Sequence, residues 1–415
     1  MKILYLSQYF LPEMGAPAAR ASELARHWAR AGHKVYVLTG FPNHPTGVVP
    51  PEWRSRLRRL IFHEQLDGVD IFRTWLWPLP NRRAHERMRN YASFFVSAAL
   101  RGLTLPRPDV IIASSPQLLV GLSGWWLAFA RQIPFVFEVR DLWPESLVAV
   151  GAGTEGSLLH TVLGKVAGFL YQRANLVVVV TPAFKDHLIE RWRVPSEKIA
   201  IVENGVETNL FAPASTDTIL TVRRQLGAEP KYLVCYIGTM GMAHGLETLL
   251  AAAEQLRNTH PQVLFLLIGE GAEKERIQSL AQSRSLANVQ FLDQQPREKI
   301  PALICASNAC LVLLKKTDVF KTVIPTKMLE FMACARPVIL GVEGQARQIV
   351  EDSAAGLVIE PENAEALAAA IDRLIANPAL GPALGQKGRE YIVKNFSRAA
   401  TAEKYIGVLQ GMPRR

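Results

Sequence analysis

The chain has 415 residues, 49% apolar and 20% charged, a balance that excludes a mainly disordered protein and, at this length, predicts two domains. The net charge is +10 and uneven: residues 1–110 hold 16 basic and 8 acidic side chains, residues 111–210 hold 8 and 9, and residues 211–415 hold 23 and 20. The first quarter therefore presents a basic surface suited to something anionic.

Met1–Phe10 has one lysine, a short apolar run and no small-residue cleavage site before Pro12, so it reads as a first strand and not as a signal peptide. Further strands are predicted over Ile3–Gln8, Val35–Thr39, Val69–Thr74, Val110–Ser114, Phe135–Val139, Val177–Thr181 and Ile199–Glu203, with helix-length segments such as Ala18–Ala31 and Pro116–Arg131 between them. The charge-free run Val110–Ala130 is long enough to span a membrane, but Ser114-Ser115-Pro116-Gln117 breaks it like a strand-to-helix turn, and no transmembrane helix is expected. The second half repeats the plan with Tyr232–Gly238, Val263–Ile268, Val289–Leu292, Cys310–Leu314, Pro337–Leu340 and Leu357–Ile359. Pro213, Ser215, Thr216, Asp217, Gly227 and Pro230 mark a linker over Asn209–Pro230.

The fold class is therefore α/β, with two doubly wound, Rossmann-like domains. They are expected at 1–208 and 209–395. Residues 396–415 carry Tyr405, Ile406 and Leu409 at helical spacing and are expected to pack back toward the first domain. Such sheets bind ligands at the carboxyl ends of their strands, so a cleft between two facing domains is the expected site. Cys235, Cys305, Cys310 and Cys334 show no C-x-x-C spacing and sit among apolar neighbours. Buried free thiols in a reducing cytosol are expected, with no structural zinc.

Two stretches of the first domain mix cations with aromatics. Glu52–Phe62 holds Trp53, Arg54, Arg56, Arg58, Arg59, Ile61 and Phe62. Arg82–Arg107 holds Arg82, Arg83, Arg87, Arg89 and Arg101 around Met88, Tyr91, Phe94, Phe95 and Leu103. Exposed rings beside cations suit an anionic membrane surface. The alternative is a solvated helix face with Phe94 and Phe95 in the core. No recognition motif accompanies the charge, so no nucleic-acid partner is expected.

Several loops after strands can carry chemistry. Pro12–Ala19 is a small-residue loop in which Gly15 lets backbone N–H groups approach a phosphate at a helix start; a plain turn glycine is the alternative. It is no dinucleotide fingerprint, because no acidic residue closes the second strand. Gly238, Thr239, Gly241, His244 and Gly245 form a similar loop in the second domain, with His244 as a phosphate donor or a polar helix-start residue. Ile324-Pro325-Thr326 opens a helix that puts Lys327 in its first turn and Glu330 on nearly the same face. A cation at an anion site plus a carboxylate for two adjacent hydroxyls suits a nucleotide-sugar; a surface pair is the alternative. Glu138–Glu145 sets Glu138, Asp141 and Glu145 with Arg140 at a strand's carboxyl end, where carboxylates can orient or deprotonate a hydroxyl or form a buried ion pair. Asn43 and His44, in Phe41–Gly47, are expected on the acceptor side with Glu145.

Taken together, the tail Pro325–Ala333 with Arg336-Pro337-Val338, the segment Glu203-Asn204-Gly205-Val206, and Tyr236-Ile237-Gly238 resemble bacterial retaining glycosyltransferases of family 4, of GT-B fold. Glu138–Glu145, Phe41–Pro45 and Gly238–Gly245 look like the subgroup that builds O-antigen and capsule and includes N-acetyl-L-fucosamine transferases. The resemblance implies a UDP-sugar donor held mainly by the second domain and a polyprenyl-diphosphate-linked saccharide as acceptor. It also implies a cytoplasmic protein, peripheral on the inner face of the bacterial membrane, that needs no metal or cofactor. Gly15 would approach the diphosphate, Glu330 would hold the ribose, the backbone at Leu292 would meet the base, and Gly269-Glu270-Gly271 would border the nucleoside. The family usually has a second glutamate where this chain has Thr322, and an arginine and a lysine in the phosphate loop where it has Thr239 and His244. Lys327 and His244 are expected to supply the missing charge, with Arg140 and Asp141 near the reacting centre. A nucleotide-sugar 2-epimerase and a non-catalytic assembly partner are the alternatives.

Overall fold

Short apolar runs that do not alternate need cover on both faces, and helices supply it in two successive units. A computed structural model describes residues 1–44, 46–79, 84–149 and 154–412. Pro45, Arg82 and Arg83 lie outside the described residues. One unit comprises Met1–Asn204 with Arg398–Arg415, the other Gly205–Ser397.

The N-terminal unit runs β1 (Lys2–Leu6), α1 (Ala16–Arg30), β2 (Lys34–Gly40), α2 (Pro51–Leu57), β3 (Ile61–Leu66), β4 (Val69–Thr74), α3 (Ala84–Leu103), β5 (Val110–Ser114), α4 (Leu118–Arg131), β6 (Phe135–Val139), α5 (Glu145–Ala149), α6 (Leu158–Arg173), β7 (Leu176–Val179), α7 (Pro182–Trp192) and β8 (Ile199–Ile201). Its sheet has the order β3-β4-β2-β1-β5-β6-β7-β8, parallel except for β3. The second unit runs α8 (Thr216–Gln225), β9 (Tyr232–Ile237), α9 (Glu247–Thr259), β10 (Val263–Ile268), α10 (Lys274–Ser283), β11 (Val289–Leu292), α11 (Ile300–Ala306), β12 (Ala309–Leu313), α12 (Asp318–Lys321), α13 (Thr326–Ala333), β13 (Val338–Gly341), α14 (Gln345–Ser353), β14 (Gly356–Val358), α15 (Ala364–Ala376) and α16 (Leu380–Asn395). Its sheet is wholly parallel, in the order β11-β10-β9-β12-β13-β14. The last helix, α17 (Arg398–Gln410), belongs to the first unit.

One face of the first sheet turns Ile3, Tyr5, Val35, Val37 and Ile112 toward α1 and α17. Trp28 of α1 packs edge-on against Tyr5 and Tyr405, and its Nε1 donates to the carbonyl of Ala402 at 3.1 Å. The other face takes α4, which approaches so closely that a Cβ on Gly124 would lie 2.6 Å from that of Ala113. Gln117 caps α4 by accepting from the N–H of Val120. All four cysteines are buried and free, as expected. Among the described residues no helix is long and apolar enough to cross a membrane.

Three expectations change. The segment expected as a linker, 209–230, contains α8. Ser215 caps it, and Arg223 ties it down by donating to the carbonyls of Ala306, Ala228 and Lys231. Ile61 and Phe62, the last residues of the cationic stretch Glu52–Phe62, begin the antiparallel edge strand β3. Trp53 and Phe94 are not interface rings. Trp53 is buried in a small cluster with Phe41 and Val49, with Arg56 and Arg73 over its ring, and Phe94 is fully buried.

The strongest constraint on the first unit is an ion pair. Arg20 of α1 and Glu138 of β6 are both fully buried and meet at 2.8 Å. Tyr5 and Ser114 also donate to Glu138, while Arg20 donates to the carbonyls of Val202 and Glu203 and to Asn204. Glu138→Ala strands a buried guanidinium, and an unfolding free energy lower by about 3–5 kcal/mol is expected in urea denaturation. A loss below about 1 kcal/mol would show that the pair does not hold the unit together.

Candidate functional site

In the second unit the loops after β9, β10 and β11 lie backbone against backbone. Gly238 N donates to Ile268 O at 2.9 Å, Met240 N to Glu270 O at 2.9 Å, and Gly269 N to Leu292 O at 3.1 Å. Only glycine fits the crossing: Gly269 has φ +144°, and a Cβ there would lie 2.1 Å from the carbonyl oxygen of Gly238. Lys327, in the first turn of α13, reaches the same place. A Cβ on Gly238 would sit 3.1 Å from its Nζ. The hydroxyl of Tyr236 donates to Thr239 O at 2.6 Å, so it accepts from Lys327 Nζ at 2.9 Å, and the ammonium lies 4.0 Å from the tyrosine ring centroid. Among the described residues no carboxylate pairs with Lys327. Burial pulls its pKa down to about 7, against a weaker opposing pull from Glu330. Pro325 starts α13 without a side-chain cap, which leaves the first-turn N–H groups suited to an anion.

His244 packs edge-on to Tyr236, with Nδ1 3.3 Å from Leu313 O. Burial, then the charge of Lys327, pushes its pKa down to about 3. It is therefore neutral. A carbonyl only accepts, so the proton sits on Nδ1 and Nε2 is an acceptor. The cationic share expected of His244 falls to Lys327. Glu330 pairs with Arg297 at 3.1 Å, and that guanidinium lies over the ring of Phe211. The carboxylate of Glu270 is held by Lys274 at 2.6 Å, with Asp293 on the same ammonium. Ile324 is buried before α13, Thr326 is its first residue, and Thr322 donates to Val319 O at 2.6 Å. Gly245 has φ +54° and has Lys315 and Glu362 as neighbours, not Lys327.

In the first unit the loop after β1 ends at Gly15, φ +132°, which begins α1 with no side-chain cap. Arg140 reaches it: Nη2 donates to Ala16 O at 3.2 Å, and Nε is buried without a partner. Asp141 beside it is pushed up to about 6 by burial, against the pull of Arg140. A carboxyl with that pKa beside a cation can hold or accept a hydroxyl proton near neutrality. Glu145 instead pairs with His187 at 3.1 Å. Glu138 is closed off by Arg20, so of the three carboxylates in that segment Asp141 is left for chemistry.

The loop after β2 is fixed from below. Buried Glu13 accepts from the N–H groups of Asn43 and His44, both at 2.9 Å, and of Phe10. Burial raises Glu13 to about 7, with those N–H groups opposing, and burial lowers His44, whose ring lies 4.7 Å from that of Tyr9, to about 4. Buried amides form a chain: Gln117 donates to Gln8, Gln8 to Asn90, and Asn90 to Asn43 Oδ1 at 3.1 Å.

Residues 15–205 match the family profile described as "Glycosyl transferase 4-like domain" and residues 219–391 the one described as "Glycosyl transferases group 1". The chain is a glycosyltransferase of the group 1 type. It is 25% identical to the putative colanic acid biosynthesis glycosyl transferase WcaI of Escherichia coli K12 over 99% of its own length and all of that protein's. Among solved structures it is similar to sucrose-phosphate synthase of Thermosynechococcus elongatus (TM-score 0.78, 24% identity, 99% and 98% of the two chains). It is also similar to Anabaena HepE in complex with UDP-glucose (TM-score 0.73, 19% identity, 99% of each). The fold is GT-B, with two Rossmann-like domains.

In this glycosyltransferase the structure groups Gly238, Thr239, His244 and Lys327 at the end of β9, Gly269 and Leu292 beside them, and Gly15, Arg140 and Asp141 at the start of α1. Tyr236, Arg297, Glu13 and Asn90 were not singled out from sequence for a site role. The one available signal was an asparagine inside an apolar helix, which is costly without a partner.

Lys327 supplies a pH test. Its folded pKa is about 7, against 10.5 for a lysine in water. Between them the unfolded chain binds more protons, so this residue's contribution to stability rises with pH. A bound diphosphate restores its charge. UDP binding at pH 8 should therefore take up about one proton more in the wild type than in Lys327→Met, as read by calorimetry in buffers of different ionisation enthalpy. Equal uptake by the two would place the proton elsewhere.

Proposed function

We propose that the enzyme transfers a sugar, an N-acetylated hexosamine or deoxyhexosamine, from a UDP-sugar to a polyprenyl-diphosphate-linked saccharide, with retention, in making a bacterial surface polysaccharide such as O-antigen or capsule. The observation that carries the reading is Lys327: a half-buried ammonium with no carboxylate partner among the described residues, beside an uncapped helix start and glycine backbones. That environment favours an incoming diphosphate. The HepE complex with UDP-glucose and the role of WcaI in colanic acid synthesis support the donor and product classes.

The leaving group is UDP. As the bond from the sugar C1 to the diphosphate oxygen breaks, charge grows on that oxygen, and Lys327 with the N–H groups of α13 stabilises it. Within the first unit, the uncapped start of α1 at Gly15 and the Arg140 guanidinium form a positive pole of their own. Arg297 holds Glu330 in place to accept from the ribose hydroxyls, while the backbone at Leu292 meets the base. Asp141 orients the acceptor hydroxyl. The new C1–oxygen bond forms on the face the diphosphate leaves, and a diphosphate oxygen takes the proton. His244 Nε2 accepts from a donor-sugar hydroxyl. The charge is met by the protein, so the reading calls for no metal.

The membrane-facing surface we propose is that of α4 and α6, which pack side by side. These helices carry Arg131, Lys165 and Arg173 and no acidic side chain. Trp126, Phe129, Leu158, Leu159 and Val162 are exposed on them. Rings, leucines and cations together suit an anionic cytoplasmic leaflet.

Lys327→Ala should lower kcat about a hundredfold while the far-ultraviolet circular dichroism stays that of the wild type. Unchanged turnover would remove Lys327 from the mechanism. Transfer should survive EDTA; loss restored by a divalent cation would overturn the metal-free reading. Trp126→Ser with Phe129→Ser should reduce sedimentation with phosphatidylglycerol vesicles, and wild-type sedimentation would move the contact elsewhere.

A further inference from the structure

We propose that an apolar groove along α3 is the subsite for the isoprenoid tail of the lipid-linked acceptor. The inference rests on the acceptor class given above and adds where its tail goes. The groove has a volume of about 620 Å3 and lies between α3 and the ends of β3 and β4. Leu60, Ile61, Trp75, Val96 and Leu100 line it, with Arg101 on the wall. Leu60 and Leu100 are 58% and 63% exposed, Ile61 and Val96 about half. Leu60 is also held at φ +62°, a left-handed conformation that a leucine side chain disfavours. An exposed side chain recovers nothing for that strain, whereas one covered by an aliphatic chain does.

Two observations select the occupant. The first is continuity with the acceptor-side loop. Asn90, which donates to Asn43, stands one turn of α3 from Ser93, which lines the groove. Ser93 accepts from Trp77 N and donates to Asn90 O, both at 2.8 Å, and Ser97 donates to Trp75 O. Asn43 and Asn90 are themselves buried, so this run of hydrogen bonds fastens the acceptor-side loop to the wall of the groove. The second is charge. Arg58 and Arg59 are exposed just before Leu60, Arg101 is on the wall, and no acidic side chain is among the lining residues described. An aliphatic tail that carries a diphosphate at one end matches a slot with cations at its rim. A bilayer would instead favour a flat face, such as that of α4 and α6.

The test is calorimetric binding of farnesyl diphosphate and of inorganic diphosphate to the full chain, with UDP binding measured in parallel. Val96→Glu and Leu100→Glu change exposed positions and spare the core. The wild type should bind farnesyl diphosphate at least about tenfold more tightly than inorganic diphosphate. Each variant should lose that advantage and keep its UDP affinity. Equal affinities in the wild type, or variants that hold farnesyl diphosphate as the wild type does, would overturn the proposal. So would variants that lose only vesicle binding, because the groove would then be a membrane contact. Wild-type protein that binds farnesyl diphosphate in the groove but no UDP would sink the donor reading and leave the groove standing.

Discussion

A lysine taken out of water without a counter-ion is the constraint on which the donor half depends. The second unit contains the contrast within itself. Lys274 is as buried as a lysine becomes here, and Glu270 and Asp293 both grip it; burial alone would lower its pKa, but the two carboxylates raise it. Lys327 is offered a phenol and a ring face instead. A tyrosine hydroxyl and a π-face orient an ammonium but do not neutralise it. The site is therefore pre-organised for negative charge, and a bound anion finds a donor already in position. The crossing of Gly238 and Gly269 makes this possible, because a side chain on Gly238 would crowd the ammonium and one on Gly269 would strike the Gly238 carbonyl.

The first unit handles its charges the opposite way. Arg20 donates through Nε and Nη2 to Oε1 of Glu138 and the two are shut away, which closes off a carboxylate that from sequence could orient a hydroxyl or form a buried ion pair. The closure defines what is left. Arg140 comes one residue beyond the end of β6, at the strand's carboxyl end, and has an unmet Nε next to an uncapped helix. Asp141 follows it with a raised pKa. The strand thus separates a carboxylate paired inside the core from one with a raised pKa at its rim, three residues apart.

Much of the fold was legible because parallel strands covered on both faces have an unmistakable pattern, and glycine loops between strand and helix mark the ends where ligands bind. Lys327 and Glu330 stood out because their spacing along one helix is local, and the structure sets Lys327 against the Gly238 loop. What escaped was long-range. Arg20 and Glu138 lie 118 positions apart, and Asn43 and Asn90 lie 47 apart. Neither pairing leaves a local period. Trp53 misled because an aromatic beside arginines reads as interfacial, whereas here Arg56 and Arg73 cover its faces from within the fold. The proton state of His244 was also illegible, since burial and the neighbouring Lys327 set it and neither is written in the loop sequence.

The basic excess of the first quarter can now be divided. Arg20 and Arg73 are internal ties, and Arg56 packs on the rings of Trp53 and Phe62. Those cations serve folding and are spent. Arg58 and Arg59 stay exposed beside Leu60 and Arg89 stays exposed on α3, near the exposed apolar side chains of Leu60, Val96 and Leu100. Exposed leucine alone is ordinary. Exposed leucine, a concave apolar slot and unmatched cations on one helix, a turn away from the loop that Glu13 pins, form a combination that burial of the protein's own surface does not explain. The ligand that satisfies all of them has a long apolar part and an anionic end.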